Sequence, residues 1–177
     1  GNNWYWLDPA NDGAMSRGIV SVGSSRYYLS DSGAMAVGWA FDGTDWYYAD
    51  GSGALASGWR SVNGAWYWLD IANDNRMVTG FFSIGSNRYH FSSTGALSLG
   101  WFMSDGDWYY AEPSNASGIV KTGWLKDGSQ YYYLDPAVDG KMLLGHFSVN
   151  GKSYYAKGSG AVACREWVDV QDSVQDG

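Results

Sequence analysis

The chain repeats itself at short range. Seven full units start at Ile19, Trp39, Trp59, Phe81, Trp101, Trp124 and His146, and a partial unit near Trp4 precedes them, so the period is 20 to 23 residues. A unit that short cannot enclose a core of its own. It must bury its apolar face on its neighbours, which is the logic of a solenoid. The start of each unit and the start of its second aromatic cluster lie seven positions apart throughout, as in Trp39/Trp46, Trp101/Trp108 and Ile19/Arg26. All length variation follows the second cluster, so the first half of each unit is the rigid part.

That half is predicted to be a β-hairpin. Gly with Asp, Asn or Ser separates the two aromatic stretches at Asp42-Gly43, Asn63-Gly64, Gly85-Ser86, Asp105-Gly106, Asp127-Gly128 and Asn150-Gly151. These residues accept the positive φ of tight hairpin turns. The glycine slides by one position between units, so one turn type does not serve them all. The flanking Tyr, Trp, Phe and Val suit strands. The expected fold class is all-β, a solenoid of consecutive hairpins over residues 1–163, with a cap and acidic tail over 164–177. Cys164 falls where the pattern is lost and is read as part of the cap.

Strand alternation separates two faces. The middle of the second strand is Tyr in all eight copies: Tyr5, Tyr27, Tyr47, Tyr67, Tyr89, Tyr109, Tyr132 and Tyr154. This constant row is read as interior, and the variable row just before it as facing a site or solvent. A second apolar row, three places before each closing glycine, holds Met15, Met35, Leu55, Met77, Leu97, Val120 and Met142. It is read as packing between neighbours, the alternative being methionines that touch a ligand. A slower period of 62 then 65 residues matches every third unit, as expected if three hairpins complete one turn.

Aromatics make up 18% of the 177 residues, with 11 Trp and 14 Tyr, and the net charge is −7. No basic footprint invites nucleic acid or an anionic membrane surface. No apolar run approaches the roughly 20 residues of a membrane span. One cysteine excludes an intrachain disulfide. Neither it nor His90 and His146, which replace aromatics in the pattern, assembles a metal site, so no metal or cofactor is expected. The loops after Asp8, Asp70 and Asp135 suggest calcium, but they offer too few oxygens and are read as turns. No catalytic constellation stands out, and the segment is read as non-enzymatic. It opens in mid-pattern at Trp4-Tyr5-Trp6, as a piece of a longer protein would.

The chain resembles the choline-binding or cell-wall-binding repeats of bacterial surface proteins and lysins, over roughly residues 3 to 163. The likeness rests on Gly38-Trp39 with Trp46-Tyr47-Tyr48, and on Gly58-Trp59 with Trp66-Tyr67-Trp68. Gly100-Trp101 with Trp108-Tyr109-Tyr110 and Gly123-Trp124 with Tyr131-Tyr132-Tyr133 continue it. The resemblance implies a left-handed superhelix and a secreted, cell-surface or cell-wall location. It also implies ligand cages between consecutive hairpins, built from two aromatics of one unit and closed by one of the next.

On that pattern two cages are complete: Trp39 and Trp46 closed by Trp59, and Trp101 and Trp108 closed by Trp124. Two are degenerate: Trp59 and Trp66 closed by Phe81, and Trp124 and Tyr131 closed by His146. Arg26 and Arg88 occupy a wall position in their units, where a guanidinium repels a cation and fills the cavity by stacking. Asp45 and Asp107, just before the second wall, either favour a cation or are solvated turn carboxylates. Trp4, Trp6, Trp68 and Trp167 are assigned to packing. The partner expected first is choline or a choline-bearing wall teichoic polymer, recognised by ring faces because a quaternary ammonium donates no hydrogen bond. The alternatives are a glycan (glucan or wall polysaccharide) and a spacer whose aromatics only pack.

Overall fold

A computed structural model describes residues 3–163. The readings made for Cys164, Trp167 and the rest of the 164–177 tail lie outside the described residues. The chain divides into two compact units after Ser98. The first contains β1 (Leu7–Asp8), β2 (Ala14–Met15), β3 (Gly18–Val22), β4 (Ser25–Leu29), β5 (Gly38–Phe41), β6 (Trp46–Ala49), β7 (Gly58–Val62), β8 (Ala65–Asp70), β9 (Arg76–Met77), β10 (Gly80–Ile84) and β11 (Asn87–Phe91). The second contains β12 (Gly100–Ser104), β13 (Asp107–Ala111), β14 (Gly123–Asp127), β15 (Gln130–Asp135), β16 (Lys141–Met142), β17 (Gly145–Val149) and β18 (Lys152–Ala156). Every full unit predicted from the repeat is an antiparallel hairpin, from β3–β4 through β17–β18.

The sliding glycine marks two reciprocal turn types. Asn63-Gly64, Asp105-Gly106 and Asn150-Gly151 have positive φ at both central residues, the signature of a type I′ turn. Gly23, Gly85 and Gly128 take positive φ as the first central residue with Ser after them, which is the type II′ arrangement. Asp127 therefore ends a strand rather than standing in the turn. The hairpin β5–β6 uses a longer loop, in which the Asp42 carboxylate accepts from the backbone N–H groups of Thr44 and Asp45, both at 2.8 Å.

The innermost row lies two residues after the constant tyrosine: Leu29, Ala49, Leu69, Phe91, Ala111, Leu134 and Ala156, none above 2% exposed. Alternation puts the tyrosine on the opposite strand face from the residue before it, as expected. Tyr47, Tyr89 and Tyr109 are buried, whereas Tyr27, Tyr67 and Tyr132 are only half-buried. The second apolar row pairs with the innermost one, through Leu29 with Met35, Ala49 with Leu55 and Leu69 with Met77.

Within each of the two compact units, methionines of that row also lock a hairpin to its successor. Met15, Met35, Met77 and Met142 lie against Gly33, Gly53, Gly95 and Gly160 respectively, where any Cβ would overlap the methionine side chain. Backbone bonds complete the joint: Leu55 N–H donates to Arg26 O and Leu97 N–H to Trp66 O, each at 2.8 Å. A hairpin that is marginal alone is thereby held by its successor. Among the described residues no helix is long and apolar enough to cross a membrane.

Candidate functional site

Strand pairing sets two walls of each cage. In β5–β6, Trp39 lies opposite Tyr48 and Phe41 opposite Trp46, so Trp39 and Trp46 are diagonal neighbours on one face. Their ring centroids are 6.4 Å apart at 85°, an open right angle. Tyr48 contacts the Trp39 ring edge-on at 5.1 Å. The corner opens on a cavity of about 390 Å³ lined by Trp39, Trp46, Tyr67, Met77, Ser93 and Thr94. The second unit repeats it as a cavity of about 440 Å³ lined by Trp101, Trp108, Tyr132, Met142, Gly158 and Ser159.

The third wall differs from the one expected. It is the constant tyrosine of the following hairpin: Tyr67 lies 4.7 Å from Trp39, and Tyr132 lies 4.7 Å from Trp101. Trp59 and Trp124 are outside these linings. Trp59 packs instead on Trp68, Tyr89 and Phe91, and Trp124 on Tyr133, Phe147 and Tyr154. The floor is a methionine, Met77 or Met142, and the far rim comes from a turn of the third hairpin. Each cage thus draws on three consecutive hairpins rather than two. Interior packing and site lining are not separate duties for Tyr67, Tyr132, Met77 and Met142, and this accounts for the half-burial of the two tyrosines.

The degenerate positions follow the same rule. Trp59 and Trp66 stand 6.3 Å apart at 85°, faced by Tyr89 at 5.2 Å. Phe81, expected to close them, is turned onto His90 at 4.9 Å. Trp124 is faced by Tyr154 at 4.8 Å, and His146 is turned onto Tyr155. The Lys126 ammonium sits 5.7 Å above the Tyr131 ring, so a cation of the chain itself covers that face.

Beside Arg26, which replaces the second tryptophan, lies a cavity of about 280 Å³ lined by Ser24, Ser25, Arg26, Leu55, Ser57, Ile71 and Asn75, without the first- and third-wall residues Ile19 and Tyr47. The guanidinium does not stack on a ring. It bridges to Asp74 at 3.1 Å and donates to the Asn75 side-chain oxygen at 3.3 Å. Arg88 does stack as expected, 5.3 Å over Phe81.

Asp45 and Asp107 follow neither reading. Asp45 pairs with Arg76 at 3.3 Å and Asp107 with Lys141 at 2.8 Å, each cation belonging to the next hairpin. The Asp45 carboxylate raises the Arg76 guanidinium above its ordinary value, and the hydrogen bond to Asp107 raises Lys141 likewise. These carboxylates are struts, already neutralised beside the cages.

A further cavity, about 610 Å³, has Trp4, Tyr27, Met35 and Ser52 in the places of second wall, third wall, floor and rim. Trp4, assigned to packing, is 71% exposed there. The loop carboxylates act as turn caps: Asp8, Asp70 and Asp135 accept from the N–H groups of Ala10, Ala72 and Ala137 at 2.9, 3.1 and 2.9 Å. Among the described residues no cluster of three or more His, Cys, Asp or Glu could hold a metal ion.

Five segments of the chain match the family described as "Putative cell wall binding repeat": residues 37–55, 57–70, 79–97, 100–114 and 122–137. No curated protein matches the sequence. Among solved structures, choline binding protein F from Streptococcus pneumoniae is similar at 36% identity and a TM-score of 0.77, over 86% of this chain and 53% of that one. CbpJ from Streptococcus pneumoniae TIGR4 is 33% identical with a TM-score of 0.79, over 90% of this chain and 56% of that one. The choline-binding domain of CbpL from the same species is 29% identical with a TM-score of 0.63, over 94% of this chain and 85% of that one. The chain therefore spans little more than half the length of the first two.

Proposed function

This chain belongs to the cell wall binding repeats and is homologous to the pneumococcal choline-binding proteins, and from that premise we propose that it holds choline-type quaternary ammonium groups of a wall polymer in two aromatic cages. The observation that carries the reading is the pair of tryptophan-lined cavities, Trp39 with Trp46 and Trp101 with Trp108, each faced by a tyrosine 4.7 Å from the first indole. A trimethylammonium group offers no hydrogen-bond donor, and these cavities offer ring faces and a thioether, with hydroxyls only at the rim. Each ring face contributes roughly 0.5–2 kcal/mol to a desolvated cation. Three faces reach about 4 kcal/mol, which is millimolar binding. Two such sites on a polymer gain further by multivalency.

The module binds and does not catalyse, and its work is to attach a larger protein to the cell surface. Arg26, tied to Asp74, is silent towards choline, and so is the Tyr131 face under Lys126. A tryptophan-fluorescence titration with choline tests the reading. Saturable change in the millimolar range is expected, and no change up to tens of millimolar overturns it. Trp66, 39% exposed outside the two cages, favours a secondary contact with sugar rings of the wall. Retention on purified wall that choline does not diminish would make that contact the principal one.

A further inference from the structure

The two cages have the same walls but different electrostatic surroundings. The difference lies on the hairpin that supplies the third wall. In the second unit, the Trp101 indole N–H donates to the Asp127 carboxylate at 2.8 Å. The corresponding residue of β7 is Val62, which has no polar atom to offer Trp39. Two positions earlier the difference reverses sign. Arg60 is the cross-strand partner of Tyr67, and its guanidinium lies 5.0 Å over the ring of Tyr48, which itself supports Trp39. The corresponding residue beside Tyr132 is Leu125.

The remaining charges nearby are largely balanced. Asp45 and Asp107 are each paired with a cation in the same way. Glu112 is paired with Lys121 at 2.8 Å, and the Asp50 carboxylate is held by Ser52, whose N–H and hydroxyl donate to it at 2.8 and 2.6 Å, with Arg60 the weakest influence on it. Lys126 alternates onto the other face of β14, over Tyr131. A fixed carboxylate thus remains on the first indole of one cage, and a guanidinium beside the walls of the other.

We propose that Asp127 is a positioning and specificity-determining residue that makes the Trp101–Trp108–Tyr132 cage the stronger cation site. Its charge-assisted bond fixes the rotamer of Trp101. It also polarises the indole, enriching the ring face that a cation meets, because cation–π attraction follows the electron density of the ring. At the Trp39 cage no such anchor exists, and Arg60 opposes an incoming cation. Exposed single charges of this kind change a binding constant by about two- to fivefold, and salt weakens the effect. The inference rests on the cages being quaternary ammonium sites.

The test separates the cages with Trp46→Ala, which leaves the Trp101 cage, and Trp108→Ala, which leaves the Trp39 cage; far-UV circular dichroism checks folding in each. Choline is compared with its neutral isostere 3,3-dimethylbutan-1-ol by fluorescence titration. The Trp46→Ala protein is expected to bind choline about two- to fivefold more tightly than the Trp108→Ala protein at low salt. Adding Asp127→Asn to Trp46→Ala should remove that advantage for choline and move the neutral isostere much less. Asp127→Val should do the same with the residue of the first cage, and Arg60→Leu in the Trp108→Ala protein should tighten choline. Equal choline affinities in the two single-cage proteins, or an Asp127→Asn effect equal for both ligands, overturns the inference while leaving the cages intact. Failure of the unsubstituted chain to bind choline overturns the functional reading itself, and this inference with it.

Discussion

Replacing Tyr67 by leucine isolates the third wall of the first cage. The ring stands 4.7 Å from Trp39 at 68° and provides one of three aromatic faces. Trp46 is 43% exposed, so the cage is partly wet and each face contributes about 1 kcal/mol rather than the upper limit for a dry site. Loss of one face therefore weakens choline about fivefold at that cage. The edge contact with Trp39 adds about 0.5–1.5 kcal/mol to stability, so the melting temperature should fall as well. Tyr67→Phe keeps the face and should retain affinity within about a factor of two. The assay is a fluorescence titration in the Trp108→Ala background, which removes the second cage and keeps the first. Trp59→Leu is the counter-variant: closure by the next tryptophan requires it to weaken the first cage, whereas the observed lining requires little direct effect. If Tyr67→Leu leaves the choline constant unchanged while Trp59→Leu raises it, the three-hairpin description of the cage is wrong.

Gly95→Ala should be among the most costly small substitutions, because φ is +80° and the new methyl overlaps Met77, the floor of the first cage. Left-handed strain and overpacking together predict a loss of about 2–4 kcal/mol, read from thermal melting, together with weaker choline binding at that cage alone. A melting temperature unchanged within about a degree would refute the interlock. Alkali should destabilise the first unit through Tyr47, whose phenol is pushed up to about 12, first by burial and then by its bond to Asp42 at 3.0 Å. The folded state holds the neutral form, so this stability is complete below the ordinary value near 10 and is lost as pH rises through about 12. Chemical denaturation between those limits should show the decline, and Tyr47→Phe should flatten it.

The hairpins were legible because their causes are local. Asn63-Gly64 and Gly85-Ser86 carry their turn chemistry within two residues, and seven-residue spacing brings Trp39 and Trp46 onto one face whatever surrounds them. Even the sliding glycine was visible, and its meaning as reciprocal turn types follows from φ alone. The constant tyrosines and the methionine row are visible too, and their constancy marks them as interior. That reading was half of their role, since a row repeated in every copy gives no hint of where it is left open.

What the sequence determined by itself was the unit, its two faces and two of the three walls, because strand alternation and turn geometry act over fewer than about ten residues. Tertiary structure decided which part of the next hairpin faces the corner. That depends on the rotation between stacked hairpins, which the Met77–Gly95 and Met142–Gly160 contacts set. The same rotation brings Tyr67 rather than Trp59 to Trp39, ties Asp45 to Arg76 and Arg26 to Asp74, and gives Trp101 a carboxylate that Trp39 lacks. Those partners lie 26 to 48 residues apart, beyond the reach of any local rule.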